Sequence, residues 1–288
     1  MAACAELNSE CIEEFLSSFN TVLVDCDGVL WCGEDNIIEG SRDTLVKLRM
    51  LGKRVIYFSN NSTKSRSQYQ QKLHRLGFEA ELNEIICATS VCCQYIKDTL
   101  NIDENVYLVG SSGFIEELDR HGIKHFGSGE DPVEGNLTEW TNIEYRTDVK
   151  AVLVGFDAHF NYMKIMKAAN YLRNPNCYFL TNGLDFEFPL FNNDRIVPAA
   201  GCFVLPIQAA AKRKPTILGK PNKLMFEAVK QIYPDVDATK CIIIGDRLDV
   251  DIEFGKRGGG DEGVVSKRRR LRGAVSEWER AVSKSWRP

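Results

Sequence analysis

The sequence has no apolar run close to the ~20 residues that a membrane span requires. Its apolar runs, such as Cys241-Ile242-Ile243-Ile244, stop far short of that. The opening Met1-Ala2-Ala3-Cys4-Ala5-Glu6 has neither the basic start nor the apolar block of a signal peptide. No Cys-x-x-Cys pair occurs among the ten cysteines, which sit mostly inside apolar patterns, so they read as reduced thiols and not as a disulfide framework. A soluble, cytoplasmic protein is expected. The sequons at Asn61-Ser62-Thr63 and Asn136-Leu137-Thr138 are then accidental, because glycosylation requires secretion. Neither sign of charge dominates: 40 acidic residues against 36 basic ones give a net charge of −4, too weak a field to argue for nucleic acid as the main partner.

What is present suits a globular chain. The 288 residues are 44% hydrophobic and 26% charged, with four Trp and fifteen Phe, enough for about two domains with a sizeable core. Charge is uneven along the chain. From Lys256 to Pro288 ten basic residues face four acidic ones, a local +6 that leaves −10 for the rest.

Strand and helix patterns alternate. Thr21-Val22-Leu23-Val24 is a β-branched run that stops at Asp25, and helical spacing at Leu45, Leu48 and Leu51 closes on Gly52. Arg54-Val55-Ile56-Tyr57-Phe58 then predicts a second strand, followed by a helix over 65–76, a strand at Ile85-Ile86-Cys87 and a helix over 90–100. A second series begins at Asn105-Val106-Tyr107-Leu108-Val109 and continues through 149–154 and 177–180, with a loop expected over 127–140. The first series is expected to resume at Thr216-Ile217-Leu218-Gly219-Lys220 and to end in the strand Cys241-Ile242-Ile243-Ile244. Such alternation implies an α/β fold with a doubly wound parallel sheet, whose ligands bind at the carboxyl ends of the strands. The middle block reads as an inserted α/β module.

Four polar clusters fall at those strand ends: Asp25-Cys26-Asp27-Gly28, Ser59-Asn60-Asn61, Gly219-Lys220-Pro221 and Gly245-Asp246-Arg247-Leu248-Asp249-Val250-Asp251. Each has a structural reading when taken singly, since Asp-x-Asp pairs end strands, Ser-Asn-Asn caps helices and Gly-Lys-Pro makes turns. Together they bring Asp25, Asp27, Asp246 and Asp251 to one crevice. Carboxylates so gathered repel one another unless a hard cation such as Mg²⁺ lies between them. A lysine, a hydroxyl and the backbone N–H groups of Gly28 and Asn60 add donors for an anion, and phosphate is the natural guest.

These four clusters, with Trp31 after the first, resemble the motifs of the haloacid dehalogenase superfamily over about residues 10 to 259. Within it they are most similar to the subgroup of phosphoglycolate, pyridoxal phosphate and 4-nitrophenyl phosphatases. The resemblance implies a Rossmann-like core with an inserted cap. The division expected is 1–100 and 211–260 for the core, 101–210 for the cap and 261–288 for an atypical basic tail. It implies Asp25 as the nucleophile that forms an aspartyl-phosphate and Asp27 as the general acid and base. Mg²⁺ would be held by the Asp25 carboxylate, the Asp27 backbone carbonyl and Asp246, supported by Asp251. Gly28, Ser59, Asn60, Asn61 and Lys220 would hold the phosphoryl group, and Asn182 and Asp185 of the cap would face the leaving group.

The activity implied is hydrolysis of a small phosphorylated metabolite such as 2-phosphoglycolate, with no membrane partner; dimerisation through the cap is left open. The alternatives are a phosphoprotein or pyridoxal phosphate phosphatase on the same core, or a catalytically weak regulatory variant. A receiver-type signalling module fits worse, because it has no cap-sized insertion. His121 and His125 stand four apart without an identifiable third ligand and read as surface residues. Cys26, between the two aspartates, reads as a packed thiol sooner than a redox switch. The departure from the family is the end of the chain. Gly258-Gly259-Gly260 leads into Lys267-Arg268-Arg269-Arg270, where only Val264-Val265 hints at a strand, so residues after about Gly260 are expected to be irregular.

Overall fold

In the computed structural model, which describes residues 12–190, 195–257 and 263–265, strand and helix alternate along the chain. The first strands are β1 (Thr21–Val24), β2 (Trp31–Cys32), β3 (Asn36–Ile37), β4 (Arg54–Ser59) and β5 (Ile85–Cys87). Then come β6 (Asn105–Val109), β7 (His125–Phe126), β8 (Val149–Val154), β9 (Tyr178–Thr181), β10 (Thr216–Ile217), β11 (Cys241–Gly245) and β12 (Gly263–Val265). One parallel sheet has the order β12-β11-β1-β4-β5, and a second has the order β10-β9-β8-β6-β7. β2 and β3 form a small antiparallel hairpin beside the end of β1.

The first sheet is covered on both faces, as its sequence requires. Side chains alternate across a strand, so Val22 and Val24 pack with Val55, Tyr57 and Ile85 on one face, while Leu23 packs with Ile56, Phe58 and Ile86 on the other. Burial of such a side chain contributes ~1.5–3 kcal/mol. The chain leaves β1 towards β4 and β5, and returns on the opposite side of β1 at β11. That reversal opens a crevice at the carboxyl end of β1.

Three expectations need correction. The strand at Thr216–Ile217 pairs with β9 and so belongs to the second sheet, not to a resumption of the first. Residues 263–265, expected to be irregular, form β12, which pairs with β11 in parallel, Ile244 opposite Val264. Two short β-branched residues suffice here because the neighbouring strand supplies the ladder; the basic run 267–270 lies outside the described residues. The loop expected over 127–140 holds over 127–136 and ends in a helical turn, Leu137–Thr141, begun by an Asn136 capping box with Glu139.

Helices from both series join the two sheets. The helix Ala88–Gln94 contributes Cys92 and Cys93 to a cluster with Val106, Leu108 and Leu118 of the second series, which is why two adjacent buried thiols need no chemistry. The helix Ser112–Arg120 lies against the turn before the helix Arg66–Arg75. Glu117 accepts the Arg66 N–H at 2.8 Å, and Glu116 accepts from Gln68 Nε2 at 2.6 Å and from the Ser65 hydroxyl. Carboxylates there complement the N-terminal helix dipole. Gly113 permits this approach, since a Cβ on it would stand 2.5 Å from Lys64 N and 2.7 Å from Ser62 O. Gly113→Ala should therefore destabilise the fold by ~1–3 kcal/mol in chemical denaturation. An unchanged midpoint would mean that the 62–64 segment yields without cost.

Candidate active site

The ends of β1, β4 and β11, with the segment after β10, deliver the four polar clusters to one cavity of about 630 Å³. Asp25 follows β1, with its backbone N–H donated to Ile244 O at 2.9 Å, and its side chain is buried. Ser59 ends β4, Asn60 and Asn61 follow it, and Asp246 follows β11. Of the eleven residues that the sequence singles out, ten line the cavity: Asp25, Asp27, Ser59, Asn60, Asn61, Asn182, Asp185, Lys220, Asp246 and Asp251.

Gly28 is the exception. Its N–H donates to Trp31 O at 2.7 Å, so it is not the anion donor expected. What Gly28 supplies is space: it has φ 95°, and a Cβ there would collide with the Asp246 carboxylate.

Lys220 is the hub. Its Nζ donates to Asp25 Oδ1 at 2.8 Å, to Asp251 Oδ1 at 2.7 Å and to Phe58 O at 2.9 Å, and all three groups are buried. Burial pulls the ammonium down, but the charges of Asp25 and Asp251 outweigh it and hold Lys220 above the ordinary lysine range. Burial pushes the Asp25 carboxyl well up, Asp251 and Asp246 push it further, and Lys220 opposes them. One cation thus leaves the gathered carboxylates undercompensated. Oxygens of Asp25, Asp246 and Asp251 lie within 4.8 Å of one another, a donor set that fits a hard divalent ion.

The Asp27 carboxylate lines the same cavity, as expected, but is not one of the three whose oxygens lie within 4.8 Å of one another. It accepts from Trp31 Nε1 at 2.8 Å, Asn61 Nδ2 at 3.0 Å and Tyr69 OH at 3.3 Å. Cys26 between the aspartates is buried. Burial, followed by the charges of Asp25 and Asp27, pushes its thiol well up, away from the reactive thiolate.

Several residues expected to touch substrate are held by one another. Asn60 reads the Lys220 backbone twice: Oδ1 accepts its N–H at 2.7 Å and Nδ2 donates to its carbonyl at 3.0 Å. Asn182 Nδ2 donates to Asn60 O at 2.7 Å, while its Oδ1 is buried with no hydrogen-bond partner. Asp185 pairs with Arg247, which also holds Asp249 at 2.6 Å. Arg247 was not among the expected site residues, although it stands inside the Gly-Asp-Arg-Leu run. Trp31 and Tyr69 were also missed as partners of Asp27. For Tyr69 the one available signal was its place on the helix that follows Ser-Asn-Asn. His121 and His125 go to separate partners, Glu117 O at 2.8 Å and Asp119 Oδ1 at 3.0 Å.

A family model described as haloacid dehalogenase-like hydrolase matches residues 22–124, and one described as HAD-hydrolase-like matches residues 217–267. The chain belongs to the haloacid dehalogenase-like hydrolases. Glycerol-3-phosphate phosphatase of Mus musculus is 38% identical over 264 residues, spanning 88% of this chain and 81% of that one. 4-Nitrophenylphosphatase of Schizosaccharomyces pombe is 40% identical over 249 residues, 85% and 82% of the two chains. The solved p-nitrophenyl phosphatase from Archaeoglobus fulgidus superposes with a TM-score of 0.72 at 25% identity, covering 94% of each. Among these relatives the chain is a phosphoric monoester hydrolase. No helix among the described residues is long and apolar enough to cross a membrane.

The hub generates a stability prediction. Lys220→Met leaves Asp25 and Asp251 buried beside each other without their shared cation, which should cost ~3–5 kcal/mol at neutral pH. Denaturant melts of the metal-free protein check this, and a loss under ~1 kcal/mol would mean that water relieves the pair.

Proposed function

We propose that the chain hydrolyses small phosphate monoesters in a Mg²⁺-dependent reaction through a phosphorylated Asp25. The observation that carries this is the placement of the buried Asp25 carboxylate on the cavity, among Lys220, Asp246 and Asp251. Asp25 attacks phosphorus in line, the bond to the ester oxygen breaks, and Asp27 gives that oxygen a proton. Asp27 then takes a proton from the water that attacks the aspartyl-phosphate, which releases inorganic phosphate and restores Asp25. Asp25, Asp246 and the Asp27 backbone carbonyl, supported by Asp251, would hold Mg²⁺, which when bound neutralises charge on the phosphoryl oxygens. The charge of Lys220 and the backbone N–H of Asn60 keep the phosphoryl group at the strand ends, beside Ser59.

The leaving-group end carries the choice of substrate. Phe156, Phe186 and Phe188 line it together with Asp185 and Glu187. Both cations among the described lining residues are committed, Lys220 to Asp25 and Asp251, and Arg247 to Asp185 and Asp249. Uncharged leaving groups, hydroxylated or aromatic, therefore suit this end better than the carboxylate of 2-phosphoglycolate. The names of the mouse and fission yeast relatives point the same way, and a cavity of about 630 Å³ favours a small ester over a phosphoprotein.

Asp25→Asn should abolish turnover of 4-nitrophenyl phosphate, with the melting curve of a folded protein. Persistent activity in a clean preparation would falsify the covalent mechanism. Asp246→Asn should raise the Mg²⁺ concentration for half-maximal rate by about tenfold or more. A titration identical to that of the unaltered enzyme removes Asp246 from the ligand set. Glycerol 3-phosphate should exceed 2-phosphoglycolate in kcat/KM, and the reverse order would overturn the reading of the leaving-group end.

A further inference from the structure

The Asp27 carboxylate is fixed by more donors than a cavity-facing acid needs for folding. Trp31 Nε1 holds Oδ1 at 2.8 Å, while Asn61 Nδ2 at 3.0 Å and Tyr69 OH at 3.3 Å hold Oδ2. Tyr69 sits on the helix Arg66–Arg75 and is 1% exposed, so its hydroxyl does not reach solvent. That hydroxyl also lies 2.8 Å from Ser59 Oγ, and Ser59 Oγ accepts the Asn61 N–H at 3.2 Å. A phenol carries one proton. With that proton given to Asp27, Ser59 must be the donor to Tyr69. The result is a closed ring: Ser59 donates to Tyr69, Tyr69 to Asp27, and Asn61 to both Asp27 and Ser59. Behind the ring stands Trp31, fully buried, with the Lys72 ammonium 4.5 Å from its ring centroid.

We infer that Tyr69 is a positioning residue for Asp27, fixing its carboxyl group relative to Ser59 so that the proton is delivered to the leaving oxygen of a phosphoryl group held at the strand ends. The inference rests on the assignment of Asp27 as the proton donor. Two loops alone, one after β1 and one after β4, would leave the acid and the phosphoryl site free to shift against each other. Tyr69 ties both to a rigid helix, which removes that freedom. The hydroxyl then matters in proportion to how much protonation the leaving group needs. A role confined to packing would affect all substrates alike.

The test is a substrate series, 4-nitrophenyl phosphate, phenyl phosphate and glycerol 3-phosphate, run on Tyr69→Phe, Asp27→Asn and the double variant. Tyr69→Phe should lower kcat about tenfold or more for phenyl phosphate and glycerol 3-phosphate, but about twofold or less for 4-nitrophenyl phosphate, with KM nearly constant. In the Asp27→Asn background Tyr69→Phe should add about twofold or less, since no proton is left to aim. Trp31→Phe, which removes the donor on the other oxygen, should show the same leaving-group dependence. An equal loss on all three substrates, or a loss that multiplies with that of Asp27→Asn, overturns the positioning role. If Asp27→Asn itself shows no leaving-group dependence, the acid assignment fails first and this inference with it. A graded Asp27→Asn beside a flat Tyr69→Phe sinks this inference alone.

Discussion

The Lys220 ammonium is the interaction on which the rest of the site depends. It reaches the residue after β1, the carbonyl of Phe58 in β4, and Asp251 beyond β11, and so joins three neighbouring strands at their carboxyl ends. Strand pairing fixes the backbones but not the carboxylates that follow them, which would repel one another once dehydrated. A single buried cation between two of them turns that repulsion into a fixed spacing. The same arrangement leaves the three-carboxylate cluster short of positive charge, which is the condition under which a divalent ion binds tightly.

Lys220 is itself placed from the second sheet. β10 ends at Ile217, and the Leu218 N–H donates to Thr181 O at 2.9 Å, so the segment carrying Lys220 leaves the second sheet already oriented. Asn60 then takes the Lys220 backbone as a strand neighbour would, with one donor and one acceptor, and Asn182 closes on the Asn60 carbonyl. A carboxamide is the side chain that can offer both roles in one plane. Asn60 therefore spends both side-chain groups on the protein, and Asn182 spends its Nδ2.

Much of this was legible in the sequence, and the parts that were not have physical reasons. β1, β4, β5 and β11 show as apolar β-branched runs because the sheet buries them on both faces, and the polar clusters after β1, β4 and β11 give three parts of the site directly. Thr216–Ile217 was assigned to the wrong sheet because strand identity shows in the pattern and strand partner does not. β12 was underread for a related reason: a three-residue edge strand needs only a neighbour's ladder and leaves almost no pattern of its own. Spacing along the chain brings Asp27 to the crevice two residues after Asp25, but it does not show what the Asp27 carboxylate touches. Its actual partners, Trp31 and Tyr69, are chosen by a turn and a helix whose meeting point is tertiary. The hairpin β2–β3, which holds Trp31 in place, follows from the same turn.

Under the proposed mechanism the segment from Ser59 to Arg66 is where phosphoryl binding and proton transfer meet, and it is gripped from both sheets. Ser59 and Asn61 face Asp27 through the hydrogen-bonded ring, and Asn60 faces Lys220. Ser62 accepts the Phe156 N–H on its hydroxyl at 3.0 Å and the Ser111 hydroxyl on its carbonyl at 3.3 Å. Glu117 takes the Arg66 N–H, so the helix that carries Tyr69 begins against the second sheet's helix Ser112–Arg120. The inserted module is therefore more than a wall for the leaving group. Each of its contacts with this segment limits how far Asp27, the proposed acid, can move from Ser59. Rigidity at the reacting atoms and selectivity at the far end of the cavity are then set by one interface, and change at either end is constrained by the other.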